Sequence, residues 1–143
     1  MEEDILQPSP EYKMYSYRSI TLSTFLGGPL ATGYLIAENF RQLGETAKFR
    51  TAWIVAIAST AVIIGVLLFV PGIEKAPSFL FPVIYMGIAS FLVKRYQGEP
   101  IKVHQENGGQ FYSVWRGLLA GVIAAVATFA VVFGLLFVAG ATE

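Results

Sequence analysis

Four stretches of the sequence contain no charged side chain, and each is about as long as a helix that crosses a lipid bilayer. They are residues 19–37, 51–73, 76–93 and 117–142. A transmembrane helix needs about 20 predominantly apolar residues, with a range of roughly 17–25. Only 14% of the 143 residues are charged, which is well below the roughly 25% of a typical soluble domain. A soluble chain of this length cannot bury so much apolar surface, so the pattern indicates a membrane protein.

We therefore predict an all-α fold, a polytopic membrane bundle of four transmembrane helices. The expected spans are residues 19–38, 52–71, 78–94 and 115–140, within a single domain that covers residues 19–143. Residues 1–18, which begin with the acidic sequence MEEDILQPSP, are expected to form a flexible, exposed tail. An alternative stays open for the first segment. It would lie in the interface or enter and leave on the same side, which a membrane tolerates only where protein covers the backbone.

The distribution of lysine and arginine predicts the orientation, because cytoplasmic loops of membrane proteins are enriched in both. The loops at residues 39–50 and 94–116 together carry seven of the ten basic residues. We therefore expect these loops in the cytoplasm and both termini outside. In the longer loop, Asn107-Gly108-Gly109 predicts a turn, either in a small hairpin at the membrane surface or in an ordered loop.

The first apolar segment contains a helix breaker, Gly27-Gly28-Pro29. Proline has no backbone N–H, so the carbonyl of Phe25, four residues earlier, loses its helical donor. The two glycines permit a bend, and we predict a kink of the first span at this point.

Small and polar residues form a stripe on one side of this segment at helical spacing, with further polar or breaker residues beside it. The candidate residues are Thr21, Thr24, Gly28, Pro29, Thr32, Glu38 and Asn39. In one interpretation the hydroxyls satisfy free carbonyls, neighbouring helices pack on the stripe, and Glu38 lies at headgroup level near Arg41. In the other, the broken helix and its stripe line a path for a small solute or ion.

Small residues at four-residue spacing let membrane helices approach closely. In the last span they predict packing positions at Gly117, Gly121, Ala125 and Gly134. These positions hold the four helices to each other or serve another chain.

No catalytic constellation is recognisable in the sequence. The chain has no cysteine and a single histidine, His104, which we expect to be a solvated loop side chain, since a metal site needs several ligands. The sequence contains no nucleophile elbow, phosphate-binding loop or dinucleotide fingerprint. We therefore expect neither enzyme activity nor a cofactor or metal. A formal net charge of zero speaks against nucleic acid as a partner.

The segment FLGGPLATGYLIAENFRQLG resembles one near the start of small uncharacterised bacterial membrane proteins. The resemblance covers about 20 residues and rests on Gly27, Gly28, Pro29, Gly33, Tyr34, Asn39, Phe40, Leu43 and Gly44. It implies a four-helix protein of the bacterial cytoplasmic membrane and no assigned activity, so it transfers no functional residue. Small multidrug exporters also have a glutamate in their first helix, but deep within it, whereas Glu38 is at the end of the predicted span.

Two functions follow from these features. The first is a structural or accessory subunit of a membrane assembly, with the lipid bilayer and other membrane chains, or copies of itself, as partners. The alternative is a dimeric transporter or channel for a small solute or ion that uses the broken first helix.

Overall fold

The computed structural model describes residues 10–141, and the described chain is all-helical, with no β-strand among these residues. The five α-helices are α1 (Tyr17–Gln42), α2 (Thr46–Phe69), α3 (Leu80–Tyr96), α4 (Gly98–Glu106) and α5 (Val114–Ala141). A short 3-10 helix, Ile73–Lys75, lies between α2 and α3. The all-α prediction is confirmed. Residues 1–9 of the predicted tail lie outside the described residues.

Three helices are long and apolar enough to cross a membrane by length and composition: α2, α5 and α1, the last when its 26 residues are counted as one helix. The prediction of membrane-type helices is therefore confirmed. The third predicted span corresponds to α3, which has 17 residues and a length of about 26 Å, slightly less than the roughly 30 Å of a bilayer's hydrocarbon core.

Helix α1 reverses direction near its middle. In a straight helix, Tyr15 and Asn39 would lie about 36 Å apart along the axis, since each residue adds 1.5 Å. Instead the backbone N of Tyr15 donates to Asn39 Oδ1 at 2.7 Å. Gly28, with φ 64° and ψ −154°, is the one residue of α1 whose dihedrals are non-helical. Residues 17–27 and 29–42 therefore form two antiparallel arms, α1a and α1b. The helix is therefore broken at the residues predicted, but the chain reverses there, so the prediction of a kinked first span that crosses the membrane is not confirmed.

Each arm of the hairpin packs against a different neighbouring helix. A Cβ on Gly121 of α5 would lie 2.9 Å from the Ser23 carbonyl of α1a, and one on Gly117 would lie 3.1 Å from the Ser19 Cβ. The register 19 to 117 and 23 to 121 shows that α1a and α5 run parallel. On the other side, Gly33 of α1b approaches Ala52 and Ala56 of α2. Helix α1 thus forms the centre of the fold, in contact with α2, α3 and α5.

The chain before α1 lies at the same end of the molecule as α4. Met14 N donates to the Gln110 carbonyl at 3.3 Å, and Tyr112 N donates to the Met14 carbonyl at 2.9 Å. Met14 and Tyr15 are fully buried. The predicted exposed tail is therefore wrong for these residues. The predicted topology is wrong too, because it separated the N-terminal segment from the loop at residues 94–116.

The loop that we predicted as a small hairpin or an ordered loop contains α4 instead. Pro100 lies in its first turn, where its missing N–H costs no helical hydrogen bond. Ile101 and His104, one turn apart, form its buried side. The turn predicted at Asn107-Gly108 does end this helix, and Gly108 adopts a φ of 71°.

Candidate functional site

The tip of the α1 hairpin is formed by Gly28 and Pro29. The φ and ψ of Gly28 lie in a region that is essentially restricted to glycine. Pro29 then begins α1b, where its fixed φ suits a first helical position. The Gly-Pro pair therefore permits the reversal, and the predicted breaker residues lie at the turn between the arms.

Two threonines of the predicted stripe meet across the hairpin. Thr24 Oγ1 and Thr32 Oγ1 lie 2.6 Å apart, although eight residues of a straight helix would separate them by about 12 Å. The hydroxyls also approach the carbonyls of Ile20 at 2.7 Å and Gly28 at 3.1 Å. Both side chains are buried, so these hydroxyls satisfy one another and the backbone near the turn.

Asn39 closes the open end of the hairpin. Its side chain accepts from Tyr15 N at 2.7 Å, donates to the Tyr15 carbonyl at 3.0 Å and donates to Gln97 Oε1 at 3.2 Å. Gln97 in turn donates to the Ile36 carbonyl at 3.0 Å. Asn39 and Gln97 are fully buried. One amide therefore ties the chain before α1a, the arm α1b and the end of α3 together.

The remaining stripe residues have local partners. Thr21 donates to the Tyr17 carbonyl at 2.9 Å, and Arg41 Nε donates to Glu38 Oε2 at 3.0 Å. The structure thus brings Glu38 and Arg41 together as one turn of helix allows, and Gln42 also donates to this carboxylate. Six of the seven candidate residues consequently form three groups: the tip (Gly28 and Pro29), the threonine pair (Thr24 and Thr32) and the polar end (Glu38 and Asn39). Thr21 bonds within its own helix and belongs to none of them.

An aromatic cluster with one guanidinium covers the polar end. Arg116 Nε donates to the Tyr15 hydroxyl at 3.2 Å, and its guanidinium lies 4.3 Å from the centre of the Tyr112 ring. Burial raises the pKa of the Tyr15 hydroxyl above its ordinary value of 10.0, although the hydrogen bond from Arg116 acts in the opposite direction.

His104 is buried, which corrects the expectation of a solvated side chain. Its Nε2 lies 2.7 Å from the Gln110 carbonyl, and its ring stacks on Tyr12 with the centroids 5.1 Å apart. Gly109 touches the ring so closely that a Cβ there would overlap it. Within residues 10–141, no cluster of three potential metal ligands is found. The histidine holds α4 to the segment before α5.

The predicted packing positions of α5 divide into two groups. Gly117 and Gly121 are buried against α1a, whereas Ala125 is half-buried. Gly134 is exposed, and a Cβ at this position would have nothing within 4 Å. The hairpin therefore uses the first half of α5 alone.

Two apolar grooves flank the hairpin. The larger, which we call the α2–α3 groove, has a volume of about 860 Å³ and runs along α2 from Ala47 to Val66, with α1b as its floor. The smaller, the α2–α5 slot, has a volume of about 420 Å³ and lies between Trp53 of α2 and the start of α5. Three residues that line these grooves were not among the candidate site residues predicted from the sequence: Gln97 in the α2–α3 groove, and Tyr15 and Arg116 in the α2–α5 slot. Their roles depend on the chain reversal, which no local pattern encodes.

No family model matches the chain, and neither the curated proteins nor the solved structures contain a match. The physical arrangement of the described residues therefore carries the functional argument.

Proposed function

We propose that this protein is a structural or accessory subunit of a membrane assembly, and that it receives a transmembrane helix of another chain in the α2–α3 groove. The observation that carries this proposal is the length and character of that groove. From Ala47 to Val66 it extends over about 28 Å of helix, which is close to the roughly 30 Å of the hydrocarbon core. Its exposed walls include Val55, Ile84 and Ile88. A spanning apolar helix matches a groove of this length.

The polar side chains of the stripe find their hydrogen-bond partners within the chain, which supports the same proposal. Thr24, Thr32 and Asn39 are buried and hydrogen-bonded within the chain, so the stripe serves the fold of the hairpin. These polar groups therefore need no external partner. The outer surfaces of α2, α3 and α5 are apolar and can contact lipid or another helix.

In the proposed membrane arrangement α2, α3 and α5 cross the bilayer, and the α1 hairpin is re-entrant. Arm α1a has a length of about 16 Å, so its tip lies near the bilayer centre. Of the ten basic residues, Lys75 alone lies at the end opposite α4. The α4 end is therefore cytoplasmic by the positive-inside rule. The described N-terminal residues then lie inside and Ala141 outside, in a bacterial cytoplasmic membrane as the resemblance implies.

Site-specific photocrosslinking tests the subunit proposal. A photoreactive residue at Ile84, within the groove, should attach to a second protein chain in native membranes. The matched control is Phe91, which is exposed on α3 outside the groove and should react with lipid alone. Native mass measurement in mild detergent should show the same complex. A free monomer by mass, with lipid adducts alone at both positions, would contradict the proposal.

A second candidate, transport of a small solute or ion, is favoured by the broken helix beside a groove. Pro29 and the Thr24–Thr32 pair border the α2–α3 groove, and half-helix ends at membrane depth are typical of transport sites. Flux into proteoliposomes should then change in Glu38→Gln and Pro29→Ala variants that retain their fold. Unchanged flux in both would leave the subunit role as the remaining proposal.

A further inference from the structure

We propose that the α2–α5 slot binds one anionic glycerophospholipid, with its phosphate at Arg116 and one acyl chain along α5. The slot is separate from the α2–α3 groove, and this inference does not depend on the proposed partner helix. It combines a positioned cation at one end with an apolar channel of defined length.

The cation is held in place, and among the described residues no carboxylate lies within ion-pair distance of it, although the charge of Glu38 acts on it from further away. Arg116 is exposed and uses Nε for the Tyr15 hydroxyl, while its planar group lies over the Tyr112 ring. Among the described residues it forms no ion pair with a carboxylate, unlike Lys48, whose Nζ lies 2.9 Å from Glu45 Oε2. The terminal nitrogens of a guanidinium in this position are free to donate two parallel hydrogen bonds to a phosphate.

The apolar channel has the length of one membrane leaflet. Along α5 it is lined by Leu119, Ala120, Ile123 and Ala127, which share one helical face below Arg116. From Arg116 to Ala127 the helix rises about 16 Å, close to half of the roughly 30 Å hydrocarbon core. A spanning helix would need twice this length, whereas an acyl chain that begins at the headgroup level fits it.

Aromatic side chains line the slot near the cation, since the Tyr34 ring centroid lies 6.4 Å from that of Tyr15, whose hydroxyl accepts from Arg116. Tyr34 and Trp53 border the slot, and their rings meet edge to face with centroids 6.1 Å apart. Such amphipathic rings favour the boundary between hydrocarbon and headgroups. In this arrangement the phosphate of one lipid contacts Arg116, and its glycerol lies beside Tyr34 and Trp53. Its acyl chain follows the apolar face of α5.

The test measures lipid retention by native mass spectrometry of the intact protein, extracted from vesicles of equal parts phosphatidylglycerol and phosphatidylcholine. One phosphatidylglycerol per chain should be retained about fivefold in preference, as expected for one basic residue at a membrane surface. Arg116→Gln should remove the preference, Arg116→Lys should keep most of it, and Arg95→Gln, an exposed cation at the same end, should leave it unchanged.

A second arm tests the channel without altering the cation. Ala127→Phe should block the slot and abolish lipid retention, whereas Ala130→Phe, exposed on α5 outside the slot, should not. The proposal is overturned if both lipids are retained equally, if Ala127→Phe retains lipid as the wild type does, or if a protein chain occupies the slot instead. Displacement of the lipid by soluble glycerol phosphate would equally overturn it, because that would show a simple anion site without a role for the chain.

Discussion

In the half of the bundle that contains the α1 hairpin, α2 and α5 pack closely on its two arms, with the grooves beside these contacts. The half beyond the hairpin tip is open. Half of an apolar 18-residue window of α1 is buried, against 6% of such a window of α5, and beyond the hairpin tip the large apolar side chains Phe133, Leu136 and Phe137 of α5 are exposed. In a membrane, lipid offers no hydrophobic drive for helices to associate, so close backbone approach and hydrogen bonds decide which helices stay together. The difference shows that α1 provides both the close backbone contacts and the hydrogen bonds. The halves of α2, α3 and α5 beyond the hairpin tip are largely exposed.

The largest effect is expected from Asn39→Ala, which breaks the closed end of the hairpin. It leaves the Tyr15 N–H, the Tyr15 carbonyl and Gln97 Oε1 without the partner they have in the structure. Because each buried unsatisfied polar group costs about 1–3 kcal/mol, we expect a loss of about 4 kcal/mol in the free energy of unfolding. The free energy of unfolding can be measured by titration with a denaturing detergent, with the loss of helix followed by circular dichroism.

Asn107→Ala is the matched control for that experiment, since Asn107 is exposed at the end of α4. It should change the free energy of unfolding by no more than about 0.5 kcal/mol. Equal effects of the two alanine variants would show that the amide of Asn39 does not hold the hairpin together.

A smaller effect is expected from Gly121→Leu in the packed half. A Cβ there would already lie 2.9 Å from the backbone carbonyl of Ser23, which cannot move without displacing α1a. Overpacking of this kind costs about 1–3 kcal/mol. Gly134→Leu tests the open half, where a Cβ meets nothing within 4 Å, and should leave thermal stability in detergent unchanged. A loss of stability in Gly134→Leu would reveal packing beyond the hairpin tip and remove the contrast between the halves.

The smallest effect concerns pH. The pKa of Tyr15 is raised by burial, so the folded state keeps this proton to a higher pH than the unfolded state does. Its contribution to stability is therefore fully present below about pH 10 and declines as the pH rises above that value. The free energy of unfolding of the wild type should fall more steeply above pH 10 than that of Tyr15→Phe. Parallel pH profiles would show that Tyr15 is not buried at the polar end.

Part of this arrangement could be predicted from the sequence, where the signal is local. Runs without charge indicate membrane helices, a Gly-Gly-Pro breaker interrupts a helix, and Glu38 reaches Arg41 because three residues make nearly one turn. The depth of the break could not be predicted. The same breaker residues permit either a bend or a full reversal of the chain. Which of the two forms depends on the hydrogen bonds of Asn39 with Tyr15 and Gln97, which are 24 and 58 residues away.

The topology prediction failed for the same reason. Treating the first segment as a crossing placed the described N-terminal residues on the side opposite the loop at residues 94–116. The reversal at Gly28 returns them to that side, where Met14 bonds to Gln110 and Tyr112. His104, expected in solvent, is enclosed by the same segment through its contact with Tyr12. One change of direction therefore explains both errors.

The sequence by itself determined the class of environment, because its apolar runs exceed what a soluble chain of 143 residues can bury. It also determined where the first helix breaks, since a proline without N–H after two glycines leaves few alternatives. The tertiary structure alone decided how far the chain turns there, which faces the small residues serve, and how Arg116 meets Tyr15 and the α2–α5 slot. These outcomes depend on contacts between residues that are distant in the sequence. Such contacts stabilise the structure only once the helices have packed against each other.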